Sequence, residues 1–423
     1  MTGANRIYEA LRSGDWLGRA RILAYARILF AVEAAVFLFL IAGTHGWIVT
    51  LDHPLTTDFA SFYAAGSLAD AGHPALAYDQ AAHFAAEQAA TEKGIAYQFF
   101  YYPPVFLLIC AALAHLPYLA AFVVFEALSL ALYLAVTRRI LDEKLSAALV
   151  PMLAFPAVFW TMGLGQNALL TASLFGAGLL TVDRRPGWAG IFFGALCYKP
   201  HLALLVPVAL AAGRRWRAFA ASAATVATLA VASAALFGWE TWQAYLSVAV
   251  DSNATYEFGR INLAGMISPF AAARLLGFDL GAAYAVQGAA TAAAAALVAY
   301  VWWKDLSLEL RGAALAAATL VAVPVVLLYD FMLAAVAAAF LIRAARRTGF
   351  LPWEKAGLAL VFVIPLLALG IGQGWHVPVG PLASLLLLAM VLARSYREAI
   401  GEDRALSRAE PGYPRPSSAP YRS

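Results

Sequence analysis

The sequence predicts an all-α, polytopic integral membrane protein, and three observations carry that reading. The chain of 423 residues is 63% hydrophobic and only 13% charged, whereas soluble domains average roughly a quarter charged. Uncharged apolar runs of about 20 residues recur along it, the length that crosses about 30 Å of hydrocarbon. Ala, Leu and Phe fill these runs without the short alternating pattern of a transmembrane barrel. The net charge of +4 does not indicate nucleic acid as a partner. The Lys and Arg residues sit in short loops between apolar runs, where they set membrane orientation.

The elements follow in order. Residues 1–21 form a basic segment carrying Arg6, Arg12, Arg19 and Arg21. A first span from Ile22 to Ala42 lacks a convincing cleavage site after it and reads as retained. Residues 43–102 make the one large loop, polar and rich in aromatics. Apolar helix returns at Pro103, breaks near His115-Leu116-Pro117 and ends at Arg138, Arg139 and Lys144. The later runs come in pairs bounded by basic clusters. They turn near Gly163 to Asn167, Lys199-Pro200-His201, residues 238–262, Tyr329-Asp330 and Gly372 to His376. The tail, residues 396–423, is charged and Pro-rich and reads as disordered. With every basic cluster in the cytoplasm, both termini lie inside and the large loop outside. About twelve transmembrane or half-spanning helices result. The runs around Lys199 and Tyr329-Asp330 are too short to span, which predicts bent or half-buried helices lining a cavity.

This topology gathers Asp58, Gln166, Asn167, Lys199, His201, Tyr329, Asp330 and His376 on the outer turns. Phe59 to Gly66 has apolar residues at helical spacing, which predicts a short amphipathic helix at the interface. Asp58, at its start, is either a capping residue or a catalytic carboxylate. Lys199 lies in an apolar stretch before the helix-breaking Pro200. It either pairs with a structural carboxylate or faces a phosphate. Tyr329 and Asp330 make either a contact between helices or part of a site. His201 and His376 read as interfacial histidines as readily as ligands. Glu33 and Glu126 lie inside apolar runs, packed or reaching an internal cavity. Cys110 and Cys197 read as buried thiols without a disulfide, and they are too few for a metal site. Tyr101, Tyr102 and the eleven tryptophans fit an interfacial aromatic belt. No nucleotide-binding or metalloprotease motif is present in usable context.

Four stretches, taken in order, resemble a known family. They are Asp58-Phe59 with Tyr63-Ala64-Ala65, Gly72 and Ala77-Tyr78-Asp79; Tyr102-Pro103-Pro104; Gly165-Gln166-Asn167 with Gly190 and Lys199-Pro200; and Pro324 with Tyr329-Asp330. The chain resembles glycosyltransferase family 87, the polyprenol-phosphate-mannose-dependent mannosyltransferases of the GT-C superfamily. The resemblance implies a GT-C-type catalytic domain over residues 22–395, with residues 43–102 as its first extracytoplasmic loop. It implies inverting transfer of a sugar, mannose by default, from a polyprenyl-phosphate donor to a hydroxyl of a glycolipid or glycan acceptor. By the same token Asp58 is the general base, and no metal or other cofactor is needed. Lys199 would neutralise the donor phosphate. Gln166, Asn167, Tyr63, Tyr329, Asp330 and His201 would bind substrate. The setting implied is a multi-pass protein of the bacterial inner (plasma) membrane with an extracytoplasmic site. The late motif has no histidine between Ala322 and Val326, so no histidine role carries over there. A transporter or flippase of lipid-linked sugars is the alternative. It would show an internal repeat, and none is evident between the two halves.

Overall fold

The computed structural model describes residues 3–42, 58–251, 257 and 261–401. The first part of the large loop, with Thr56 and Thr57, and residues 402–423 of the expected disordered tail lie outside the described residues. Among those described, the protein is all-α. It has nineteen α-helices, several 3₁₀ turns and one isolated antiparallel bridge, between Met266 and Leu327.

Helix α1 (Gly3–Ser13) precedes α2 (Arg19–Ala42), the first long apolar helix. The loop region that follows holds α3 (Phe59–Asp70) and α4 (Gln80–Ala90), and then residues 95–103 run without regular structure. As expected, the next apolar run divides at His115-Leu116-Pro117, into α5 (Pro104–Ala114) and α6 (Tyr118–Leu141). Helices α7 (Leu145–Leu153) and α8 (Pro156–Leu164) bend by 65° at their junction and count together as one broken span. Then come α9 (Ala168–Thr181), α10 (Pro186–Ala195), α11 (Val206–Ala212), α12 (Trp216–Phe237) and α13 (Trp239–Asp251). The last third contains α14 (Pro269–Leu275), α15 (Leu280–Trp303), α16 (Leu308–Ala322), α17 (Met332–Thr348), α18 (Glu354–Trp375) and α19 (Val379–Ala399). Helices α2, α6, α12, α15, α18 and α19, with α17 extended by its leading 3₁₀ turn, are long and apolar enough to cross a membrane. The protein is therefore multi-pass.

The helices break where the sequence places its polar turns. Two 3₁₀ turns, Leu196–Tyr198 and Pro200–Ala203, flank Lys199. Proline at 200 has no N–H for a helical bond and fixes the interruption. Between α16 and α17 the backbone is extended, and the Ile267 N–H donates to Val326 O at 2.9 Å. This satisfies main-chain groups that a helix would otherwise pair.

Two expectations change. Helix α3 is not an interfacial amphipath. Phe59, Ala60, Phe62, Ala64 and Ala65 are 0–1% exposed, because α4, α5 and residues 95–103 cover it. Its contact with α5 is so close that a Cβ on Gly66 would sit 2.1 Å from the Cys110 carbonyl oxygen. The tail also begins later than expected, since α19 continues to Ala399 and Glu398 accepts from the Ser307 backbone N–H and hydroxyl.

The basic clusters gather at one end of the bundle. Arg346 reaches Glu143 and the Leu141 carbonyl, and Arg19 also approaches Glu143. Arg343 and Arg347 share Glu309, and Arg394 binds Glu354. The helix starts at Asp58 and Tyr118 and the turns at Gln166, Lys199 and Asp330 lie at the other end, called the loop end below.

Candidate functional site

At the loop end, five chain segments bring their polar side chains together. Asp58 opens α3 but makes no side-chain cap bond. Its Oδ2 instead accepts from Gln166 Nε2 at 2.6 Å. The orientation of the Gln166 amide is fixed by chemistry. Its Oε1 receives the Asn167 backbone N–H and the Tyr102 hydroxyl, both at 3.3 Å, and a backbone N–H can only donate. The NH₂ group must therefore face Asp58. Gly165 makes this geometry possible. It has φ +67°, and a Cβ there would lie 2.6 Å from Phe59 Cβ. Only glycine accepts both the left-handed turn and the close contact.

Lys199 forms the second half of the cluster. Its Nζ donates to Asp330 Oδ1 at 2.8 Å, and both side chains are 4% exposed. The ammonium also sits over the Tyr329 ring at 5.0 Å and the Tyr102 ring at 5.9 Å. Asp330 Oδ2 accepts from the Leu327 backbone N–H at 3.3 Å, which anchors its 3₁₀ turn. Tyr102 joins the halves, with its hydroxyl on Gln166 and its ring under Lys199.

Asp58 itself is only partly buried. Burial nonetheless pushes its carboxyl up to about 6, against the opposing pull of the Gln166 hydrogen bond and the Lys199 charge. Enclosure of this kind disfavours the charged form, and an amide donor with one shared cation only partly offsets it. Oδ1 carries no hydrogen bond from another described residue.

The remaining candidates fall as follows. The Asn167 carboxamide is fully buried beside the Tyr102 hydroxyl, without a hydrogen bond of normal geometry. His201 is exposed and close enough to feel both Lys199 and Asp330. The Tyr63 hydroxyl donates to the Leu116 carbonyl at 2.9 Å, so it ties α3 to the α5–α6 turn. His376 is exposed at the end of α18. Glu33 and Glu126 are buried, with both oxygens of each lacking a hydrogen-bond partner in the described structure. Cys110 and Cys197 are free thiols. Among the described residues, no group of three or more His, Cys, Asp or Glu side chains is placed to hold a metal ion. Sequence reasoning missed Tyr102, which it assigned to an aromatic belt. The available signal was its position directly before Pro103-Pro104, in a motif already singled out.

A multi-pass helical protein that gathers Asp58, Gln166, Lys199 and Asp330 at one end has the form of a membrane-embedded enzyme. Residues 100–329, over half of the chain, match the model of glycosyltransferase family 87, and the chain belongs to that family. It is a glycosyltransferase. The matched segment contains Tyr102, Gln166, Asn167, Lys199 and Tyr329; Asp58 lies before it and enters the site through the Gln166 contact. No match was found among curated proteins, and none among solved structures.

Proposed function

We propose that the protein transfers a sugar, mannose by family resemblance, from a polyprenyl phosphate to a hydroxyl of a glycolipid or glycan, with inversion and with Asp58 as general base. The observation that carries this reading is the state of the Asp58 carboxyl. It makes no side-chain cap bond, Gln166 holds one oxygen, the other has no hydrogen-bond partner among the described residues, and burial raises it to about 6. Such a base is ionised at neutral pH yet retains affinity for a proton, the balance that general-base catalysis requires.

The acceptor oxygen attacks the anomeric carbon on the face opposite the phosphate. Its proton passes to Asp58 Oδ1. The bond from the anomeric carbon to the phosphate oxygen breaks, and its electron pair leaves with the lipid phosphate. Lys199 gives one N–H to Asp330; an ammonium has three, and the two without a partner among the described residues can serve phosphate oxygens. Its charge offsets the charge growing on the leaving group. Gln166 has both ends of its amide engaged within the protein, so it acts by aiming Asp58. Asn167, Tyr329 and His201 are left for the sugar. No metal or cofactor takes part. The basic clusters at the opposite end support an extracytoplasmic site, with donor drawn from the outer leaflet of the plasma membrane.

The test uses the full-length protein in lipid with a radiolabelled polyprenyl-phosphate sugar and candidate acceptors. Wild type should transfer label and Asp58→Asn should not. Equal transfer by both removes Asp58 as the base. Loss of activity on chelation, restored by a divalent cation, overturns the metal-free step.

A further inference from the structure

Close to Asp58, and linked to it through Ser61, lies a second titratable pair that the transfer step does not use. His83 and Glu87 sit one turn apart on α4, and both side chains are 0% exposed. His83 Nε2 lies 3.0 Å from the Ser61 carbonyl oxygen. A carbonyl can only accept, so Nε2 carries a hydrogen. In neutral imidazole the other nitrogen, Nδ1, is then a bare acceptor. It lies 3.6 Å from Glu87 Oε1 and has no hydrogen-bond donor of its own. The Tyr97 and Phe100 rings enclose the imidazole. Both Glu87 oxygens accept from the Gln98 backbone N–H, at 3.2 and 3.3 Å.

The groups around Glu87 are short of positive charge. On α4 it faces His83. From the head of α3 it feels Asp58, and from residues 95–103 it meets Tyr97. From the 3₁₀ turn Pro74–Tyr78, the Tyr78 hydroxyl points to the Tyr102 carbonyl, and the adjacent Asp79 is engaged in capping α4. Neither His83 nor Glu87 forms an ion pair with Lys or Arg among the described residues. An ionised Glu87 would set a buried negative charge against the lone pair of Nδ1, and the cost of leaving such a charge unpaired is high. A protonated carboxyl removes the charge and offers a hydrogen to Nδ1.

The pair also holds both arms of the site. Ser61 takes His83 on its carbonyl, while its own N–H bonds the Asp58 carbonyl at 3.2 Å and its hydroxyl reaches Phe99 O. Gln98, held by Glu87, stands four residues before Tyr102, whose hydroxyl donates to Gln166. We infer that His83 and Glu87 are positioning residues that share one proton, and that losing this proton from Glu87 displaces Asp58 and slows transfer on the alkaline side. The inference rests on Asp58 as the base. Burial, reinforced by the Asp58 charge and only partly offset by the Gln98 N–H, holds the Glu87 carboxyl at about 8. His83 is pushed down to about 4 by burial. Both directions match a pair that is uncharged at neutral pH.

The experiment measures transfer by the full-length protein in lipid from about pH 5 to about pH 10. Wild-type rate should rise through about 6 as Asp58 ionises and fall through about 8 as Glu87 does. Glu87→Gln stays neutral and keeps the rise, and the fall near 8 should vanish. In His83→Gln, where an amide N–H still reaches toward Ser61 O, the fall should move. An alkaline fall unchanged in both variants overturns the inference, as does a folded Glu87→Gln that is inactive at every pH. A second readout does not depend on activity. In infrared difference spectra between pH 7 and 9, the protonated-carboxyl signal lost by wild type should be smaller by one group in Glu87→Gln. Equal signals overturn the shared proton. An active Asp58→Asn would overturn the base assignment instead, and the infrared comparison would still judge Glu87.

Discussion

The two ends of the bundle bury charge in opposite ways. At the basic end, carboxylates meet guanidinium groups. Arg311, 5% exposed, donates to both oxygens of Asp183 at 3.1 and 2.6 Å and lies 3.2 Å from Asp305. Arg394 binds both oxygens of Glu354, the Thr348 hydroxyl and the Gly349 carbonyl. Burial alone would raise the Asp183 carboxyl, but Arg311 and Arg215 hold it below its ordinary value. At the loop end, Asp58 and Glu87 are met by amide N–H groups, and the buried Lys199 is already committed to Asp330. Their carboxyls are pushed up. A guanidinium-matched carboxylate is a staple, because its charge is satisfied and its proton affinity is low. A carboxyl short of cations keeps its proton affinity near neutral pH and can exchange protons with a substrate.

The sharpest way to break this comparison is to cut one partner at each end. Arg311→Ala leaves the part-exposed Asp183 with Arg215 alone and should cost about 1.5–3 kcal/mol of stability, the usual range for losing hydrogen bonds to a charged group. The rate per folded molecule should be unchanged. Asp58→Asn should do the reverse, lowering the transfer rate by about 10²–10⁴-fold, the range for losing a general base, with thermal stability held. Thermal melting in detergent beside the radiolabel assay reads both. A stable Arg311→Ala, or an Asp58→Asn that melts early, would erase the distinction between the ends.

The same contrast explains how much was legible in the sequence. The helical membrane fold, the break at His115 to Pro117 and the turns at Gly165, Lys199 and Asp330 follow from local signals: apolar run length, proline and glycine. The burial of α3 does not. Its apolar spacing is that of an interfacial helix, and only tertiary cover by α4, α5 and residues 95–103 makes it internal. In sequence Asp58 reads as cap or base, because both use the same residue at a helix start; the structure shows a Gln166 contact, across 108 positions of sequence, in place of a cap bond. The Lys199–Asp330 pair spans 131 positions; the sequence places both charges on outer turns and allows Lys199 a carboxylate partner, but does not say which one. His83 and Glu87 gave no signal, since an i,i+4 His–Glu pair on an exposed helix looks identical in sequence.

An intermediate effect is expected at Gln166, which helps to keep the Asp58 carboxyl from rising further. Gln166→Leu removes a hydrogen bond to a charged group, worth about 1.5–3 kcal/mol. The transfer rate at neutral pH should fall by about 10–100-fold on the scale of tenfold per 1.4 kcal/mol. Without that donor the Asp58 pKa goes up, so the acid limb of the rate profile should move to higher pH and part of the loss should be recovered there. A uniform loss at all pH values would mean that Gln166 contacts substrate instead of aiming the base.

The smallest effect tests how far the aiming extends. Tyr102→Phe keeps the ring under Lys199 and removes only the hydroxyl bond to Gln166 Oε1. The Asn167 backbone N–H still donates to that oxygen, so the amide should keep its orientation and its NH₂ should still face Asp58. A neutral hydrogen bond with a second donor in place is worth about 0.5–1.5 kcal/mol, which corresponds to a loss of about 2–10-fold. The acid limb should stay within a few tenths of its wild-type position, because neither the burial of Asp58 nor its own donor has changed. A loss as large as that of Gln166→Leu would mean that the phenol itself touches substrate. In that case the loop end would hold a second reacting group at the junction between the Asp58 and Lys199 halves.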